Sequence, residues 1–269
     1  MSRLNAVVTR RADVAPGLMI LGVSPNGWDL ARFVPGQFAV LGLPAVSPRC
    51  ALSEPETASL RPDALVRRSY SIASPVGERS DLEFYVTLVR SGTLTPRLFA
   101  LQVGDRLWLG PKASGLFTLQ AVPPDRDLVL VATGTGLAPY MSMLRSDLLN
   151  GGPRRIAVVH GARHSWDLGY RAELVTLQRL FPRFTYLPVV SRPAEEPVPW
   201  GGLTGRVQDV WQAGHLARWF GVAPTPSTAH VLLAGNPDMV DHMLGVLAGE
   251  GFSRHTRQHP GTVHTEKYW

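Results

Sequence analysis

Four consecutive residues, Arg68-Ser69-Tyr70-Ser71, bring a fixed cation, a flat aromatic ring and two hydroxyls into one short stretch. Side chains alternate along a strand, so Arg68 and Tyr70 share one face and Ser69 and Ser71 the other. The first face offers a guanidinium that can pair with a phosphate beside a ring that can stack. A hydroxyl at the strand end can reach the edge of a flat heterocycle, and a strand of this content can hold a flavin. A second group, Thr133-Gly134-Thr135-Gly136-Leu137-Ala138-Pro139, follows the continuous apolar run Leu128-Val129-Leu130-Val131-Ala132. Glycines at such a strand-to-helix turn let the backbone approach a pyrophosphate, and a helix N-terminus presents free N–H groups there. Pro139 stands where the usual dinucleotide fingerprint has its third glycine.

These residues need elements to position them, and the grammar of the chain changes once. Short runs at 6–9, 18–23, 38–43, 68–74, 82–88 and 106–109, punctuated by Pro, Gly, Asp and Asn, predict an all-β barrel or sandwich. Residues 44–66 show no alternation and read as a long loop or insertion, with no more regular structure than a helical turn. Thr95 is the expected N-cap of a short helix that begins at Pro96. After Pro123-Pro124-Asp125 strands and helices alternate: strand 128–132, strand 156–160, helix 166–180, strand 185–190, helix 207–212, strand 231–234 and helix 238–250. That pattern predicts a doubly wound parallel sheet. The expected division is therefore an antiparallel β-barrel domain over 1–125 and an α/β domain over 126–269.

Composition sets the outer bounds. The chain has 269 residues, 45% of them hydrophobic and 18% charged, with a net charge of +6. That balance suits an anionic ligand or acidic partner, and without a polybasic tract nucleic acid is not expected. The single cysteine, Cys50, excludes an intrachain disulfide and a four-cysteine iron–sulfur cluster made by this chain alone. The start MSRLNAVVTRR lacks an apolar stretch of signal length, and no run nears the ~18 residues of a membrane span, so a cytoplasmic monomer is expected. His160 and His164, like His255 and His259, are spaced by four without the glutamate of a zinc-protease helix. Both pairs read as ordinary polar residues, and no metal is expected.

Arg68-Ser69-Tyr70-Ser71, Gly134-Thr135-Gly136-Leu137-Ala138-Pro139 and Ala234-Gly235-Asn236-Pro237-Asp238-Met239, in this order, resemble the ferredoxin-NADP+ reductase family. Val190-Ser191-Arg192, Leu203-Thr204-Gly205-Arg206 and the final Glu266-Lys267-Tyr268-Trp269 resemble its bacterial type. The resemblance covers nearly the whole chain apart from 44–66. It implies FAD on the barrel and NADP(H) on the parallel sheet. It makes Arg68 the pyrophosphate partner, Tyr70 the stacking ring and Ser71 the hydroxyl near the flavin N5, with Ser69 beside them. It matches Thr87, Leu88 and Val89 to the strand after the flavin edge, and Gly92, Thr93 and Leu94 to the loop near the phosphates. Thr133 or Thr135, with Gly136, falls beside the ring.

The resemblance further brings Ala162, Arg163, Ser191, Arg192 and Arg206 to the nucleotide at the ends of successive strands. Three converging arginines are costly without an anion, and the 2′-phosphate of NADP is such an anion. Gly235, Asn236 and Asp238 join the nucleotide site, Ala234 stands where the family carries cysteine beside the nicotinamide, and Glu266 counts with the catalytic group. Tyr268 and Trp269 are expected to dock, Trp269 on the FAD adenine. The implied activity is electron transfer between NADP(H) and an acidic ferredoxin or flavodoxin. Alternatives are an NADPH-dependent flavin reductase, the reductase component of an oxygenase, and a nucleotide-sensing subunit without turnover.

Overall fold

The computed structural model describes residues 4–30, 32–57, 60–77, 81–146, 148–150 and 152–268. The chain divides into two compact units, Met1–Thr118 with Ala138–Ser146, and Leu119–Leu137 with Asp147–Trp269.

The first unit carries strands β1 (Ala6–Ala15), β2 (Leu18–Pro25), β3 (Phe38–Pro44), β4 (Leu65–Ser71), β5 (Leu82–Thr87) and β6 (Arg106–Leu109). They form one antiparallel sheet in the order β4-β3-β6-β1-β2-β5. Its two edges meet: Ile72, just past β4, bridges Phe84 of β5, and the Ala73 N–H donates to the Glu83 carbonyl at 2.8 Å. The sheet thus curls into a barrel whose interior holds Val8, Leu21, Leu41, Phe84, Leu107 and Leu109. β1 runs well past the expected Thr9. Arg10, Arg11 and Asp13 obscure its alternation, and its pairing with β2 shifts register twice, between Val8 and Arg10 and between Asp13 and Ala15.

Two short helices complete this unit, α1 (Thr95–Leu98) and α2 (Ala138–Arg145). Leu94, not Thr95, caps α1, because the Thr95 hydroxyl accepts from the Val89 N–H at 2.9 Å and donates to the Val89 carbonyl at 3.1 Å. α2 is tied down by Arg145, which donates to Glu83 at 2.7 Å and to the Ala73 carbonyl at 3.0 Å. At the Pro35-Gly36 turn, φ is +97° and a Cβ would lie 2.0 Å from the Phe117 carbonyl oxygen, so only glycine fits. The described part of 44–64 is built of turns and extended chain, without the helical turn that its composition allowed.

The second unit contains β7 (Asp127–Thr133), β8 (Ile156–Ala162), α3 (Arg171–Leu180), β9 (Phe184–Val190), β10 (Leu203–Thr204), α4 (Val207–Gln212), α5 (His215–Phe220), β11 (Ala229–Gly235), α6 (Pro237–Gly249) and β12 (Val263–Lys267). The sheet is parallel throughout, in the order β10-β9-β8-β7-β11-β12. β7 and β11 are apolar without alternation because both faces of these central strands are covered. α4, α5 and α6 cover one face with Val207, Val210, Leu216, Phe220, Val240 and Met243. Helix α3 starts five residues later than its periodicity suggests: Tyr170 adopts φ +60°, and a separate 3₁₀ turn spans Ser165–Asp167. α5 lies between two left-handed glycines, Gly214 and Gly221, and β12 is an edge strand of mixed polarity, so neither has a strong sequence signal.

Three imidazoles lie close together at β11 and β12. His230 Nδ1 is 3.1 Å from His264 Nε2, and the His255 ring stacks on His264 with centroids 4.6 Å apart. Burial, and then the neighbouring His255 and His230, pull His264 down to about 4, and burial pulls His160 on β8 down to about 4 as well. Folded values below the unfolded ~6.5 mean that the unfolded chain takes up protons first, so stability present above pH 6.5 is lost as pH falls toward 4. Each group contributes up to about 3 kcal/mol to that loss. Urea unfolding should weaken steadily between pH 7 and 4.5, and His264→Gln should lose less over that interval. Equal acid sensitivity in both proteins would contradict this assignment.

Candidate functional site

In the first unit, β4 pairs with β3 so that Arg68 faces Leu41 and Tyr70 faces Ala39, while Ser69 faces Val40 and Ser71 faces Phe38. Directly opposed residues share a face, so Arg68 and Tyr70 lie on one side, as alternation requires. The half-buried Tyr70 ring meets Phe84 edge-on, with centroids 6.5 Å apart. Burial pushes its phenol well above the usual range, only partly offset by Arg68, so the ring stays neutral. Ser71 is buried, whereas Ser69 is exposed.

Arg68 donates to the Arg67 carbonyl at 2.7 Å and reaches Thr93 Oγ1 at 3.4 Å. The strand and the loop Gly92-Thr93-Leu94, distant in sequence, therefore meet. Within that loop the Gly92 N–H closes a turn onto the Val89 carbonyl at 2.9 Å, while the N–H groups of Thr93 and Leu94 have no partner among the described residues. A guanidinium, a hydroxyl and two available amides are groups of the kind that bind an anion. Thr87 ends β5, the Leu88 N–H donates to the Gly17 carbonyl at 2.8 Å, and Val89 is exposed on the approach to this loop.

In the second unit, the strand order reverses at β7: the chain builds outward through β8, β9 and β10, then returns to β11 and β12 on the other side. Ligands of open α/β sheets bind at the carboxyl ends of strands beside such a reversal. There the turn after β7 and the end of β11 interlock. A Cβ on Gly136 would sit 2.2 Å from the Ala234 carbonyl oxygen, and one on Gly235, at φ +127°, would sit 2.5 Å from Thr133 Oγ1. Thr133 Oγ1 accepts the Asn236 N–H at 3.0 Å. Asn236 Oδ1 in turn caps α6 by accepting from Asp238 N–H at 2.8 Å and Met239 N–H at 3.3 Å. Thr135 is buried in the turn, and Ala234 is fully buried between Ala132 and Glu266 in register. The Tyr268 N–H donates to the Gly235 carbonyl at 2.9 Å, which ties down the end of β12, while Trp269 lies outside the described residues.

Arg163, Arg192 and Arg206 follow the carboxyl ends of the adjacent strands β8, β9 and β10. Backbone bonds hold these ends together: Ser191 N–H to the Ala162 carbonyl at 3.0 Å, Arg192 N–H to the Arg163 carbonyl at 2.9 Å, and Gly205 N–H to the Val190 carbonyl at 3.0 Å. The guanidinium groups of Arg163 and Arg206 have no carboxylate partner among the described residues, and Arg192 has one, Glu195, at 3.3 Å. Glu195 also meets His164 Nε2 at 2.8 Å, and the bond from Glu195 raises the His164 pKa above its ordinary value. His164, read from sequence as an ordinary polar residue, is thus paired, and it stacks on Trp166 at 4.4 Å. The only sequence signal for this pairing was an acid three residues after Arg192.

An antiparallel barrel and a parallel-sheet unit, each bringing arginines to one end, are the two-unit architecture of a class of nucleotide-dependent oxidoreductases. The family described as the oxidoreductase NAD-binding domain matches residues 130–244. The flavodoxin/ferredoxin–NADP reductase of Escherichia coli is 34% identical over 240 residues, 88% of each chain. The chain belongs to the flavodoxin/ferredoxin–NADP reductase family. In fold it is similar to a ferredoxin NADP+ reductase from Neisseria gonorrhoeae, solved with bound FAD and NADP, at TM-score 0.79 and 23% identity over 98% of this chain and 97% of that one. It is also similar to an Amycolatopsis cytochrome P450 reductase at TM-score 0.72 and 28% identity, over 98% of this chain and 69% of that one.

The interlock has a measurable consequence. Gly136→Ala forces its methyl against the Ala234 carbonyl, an overpacking cost of about 1 to 3 kcal/mol, whereas Gly134 has open space around its Cβ direction and only an unfavourable φ of +53°. Urea midpoints should therefore fall further for Gly136→Ala than for Gly134→Ala. The reverse order would show that the turn yields where the packing says it cannot.

Proposed function

We propose that this chain moves electrons between NADP(H) and an acidic ferredoxin or flavodoxin, with FAD as its resident cofactor. The observation that carries the reading is the meeting of Arg68 with the Thr93 loop, since a cation, a hydroxyl and two available amides beside a neutral stacking ring fit a flavin dinucleotide. In this reading the first unit binds FAD: Arg68, Thr93 and Leu94 take its pyrophosphate, Tyr70 supplies the stacking ring, and Ser71 offers a hydroxyl to the flavin edge. When bound, FAD supplies the conversion between two-electron hydride chemistry and one-electron transfer.

The second unit binds NADP(H). Arg163, Arg192 and Arg206, with Ala162 and Ser191, hold the 2′-phosphate. Thr133, Thr135 and Gly136 leave room for the pyrophosphate by presenting backbone rather than side chain, as Gly136 must in any case. Ala234, Gly235 and Glu266 line the nicotinamide end, with Asn236 and Asp238 opening the helix beside it. The net charge of +6 favours encounter with an acidic carrier. The likeness to a cytochrome P450 reductase supports a second reading, the reductase of an oxygenase. With Cys50 as their single cysteine, these 269 residues make no four-cysteine iron–sulfur centre of their own.

A visible spectrum of the purified protein should show bound flavin, and NADPH should reduce it. NADPH-driven reduction of flavodoxin faster than of a cytochrome P450 would favour the first reading over the second. A protein that cannot be reconstituted with FAD would refute both. Arg192→Ala and Arg206→Ala should each raise the Michaelis constant for NADPH about ten- to a hundred-fold, the value of a lost charge-assisted contact, and that for NADH little. Equal effects on the two nucleotides would remove these arginines from the 2′-phosphate.

A further inference from the structure

The stretch between β3 and β4, which the family pattern does not account for, is joined to the Thr93 loop by a network of two arginines and one glutamate. Its base is closed by the Ala45 N–H on the Ala64 carbonyl at 2.8 Å, and its middle is pinned by the Cys50 N–H on the Pro96 carbonyl at 2.9 Å and the Glu54 N–H on the Arg90 carbonyl at 3.0 Å. Glu56, from this stretch, pairs with Arg97 through both oxygens, at 2.9 and 2.8 Å, and with Arg49 at 3.3 Å. The Arg97 side chain is only 2% exposed, and its bond to Glu56 holds that carboxyl below the usual carboxylate range. Both arginines then spend their remaining donors on carbonyls. Arg49 reaches those of Gly92 at 2.9 Å and Glu54 at 2.8 Å, and Arg97 those of Thr93 at 2.5 Å and Ala45 at 3.1 Å.

A trans peptide is planar, with its C=O and N–H pointing opposite ways. Drawing the Gly92 carbonyl toward Arg49 turns the Thr93 N–H away from it, and drawing the Thr93 carbonyl toward Arg97 does the same for the Leu94 N–H. These are the two amides without partners among the described residues. We propose that the described residues between β3 and β4 are a brace for the phosphate loop, in which Glu56, through Arg49 and Arg97, holds the Gly92 and Thr93 peptides so that the Thr93 and Leu94 amides face the FAD pyrophosphate. The proposal rests on the assignment of that loop to FAD. Glu56, Arg49 and Arg97 are positioning residues, since none of them needs to touch the cofactor.

Riboflavin carries the same ring as FAD without phosphates, so the ratio of the two dissociation constants isolates the loop. Apoprotein is titrated with each, following flavin fluorescence. Glu56→Gln should weaken FAD about ten-fold, the scale of a lost hydrogen-bonded contact, and leave riboflavin within about two-fold. Arg49→Met, which keeps the buried Glu56–Arg97 pair, should shift FAD in the same direction by about three-fold. Glu56→Gln lowers the melting temperature in either case, because it leaves the buried Arg97 charge without its partner, so the deciding result is the ratio: a merely structural role would weaken both ligands alike in both variants, and that overturns the brace. Arg68→Ala separates the proposal from its premise. If Arg68→Ala lowers the preference for FAD and neither brace variant does, the loop assignment stands and the brace falls. If Arg68→Ala leaves the preference unchanged, the loop assignment falls and takes the brace with it.

Discussion

At the carboxyl ends of β7 and β11 two backbones approach so closely that neither Gly136 nor Gly235 can carry a side chain. The turn after β7, the start of α6 and the end of β12 all depend on that approach. It commits Thr133 Oγ1 to the Asn236 N–H, which fixes the residue that caps α6, and it aligns Gly235 to receive the Tyr268 N–H at the end of β12. Three segments far apart in sequence are thereby set around the switch point of a parallel sheet, where helix starts and strand ends leave amides available.

Arginine serves two purposes in this chain, separated by burial. Arg97 is buried, with a bidentate carboxylate and two carbonyls around it, as a desolvated cation requires. Loss of its partner would strand a charge inside the protein, so such a residue can act as a fixed strut. Arg163, Arg192 and Arg206 lie at strand ends with at most one exposed acid among them. An exposed pair such as Arg192–Glu195 is worth little, so an incoming phosphate can displace the acid at small cost. Rigid cations shape the first unit's loop, and lightly held ones stand at the strand ends of the second.

Much of this was legible in the residues. The change from alternating short strands to apolar runs separated by helices marked two kinds of architecture, because a barrel strand has one buried face and a central parallel strand has two. Local chemistry marked the Arg68 strand and the Gly134–Gly136 turn, and the family resemblance pointed to the three strand-end arginines. Local chemistry also misled: Thr95 looks like a cap, and its hydroxyl is taken by Val89; residues 166–180 look like one helix, and Tyr170 in a left-handed conformation divides them.

The sequence by itself determined the fold class, the motifs and the sign of the charge each motif presents, since these follow from side-chain type and periodicity within a few residues. Only the tertiary structure decided which carbonyl an arginine faces. Arg49, Glu56 and Arg97 carry no pattern among them, because an ion pair across 41 residues is set by how the intervening strands fold back, not by spacing. The same holds for His164 with Glu195 and for His230 with His264. Long-range pairing costs chain entropy that packing of the whole unit must repay, so it leaves no trace in any short window of the chain.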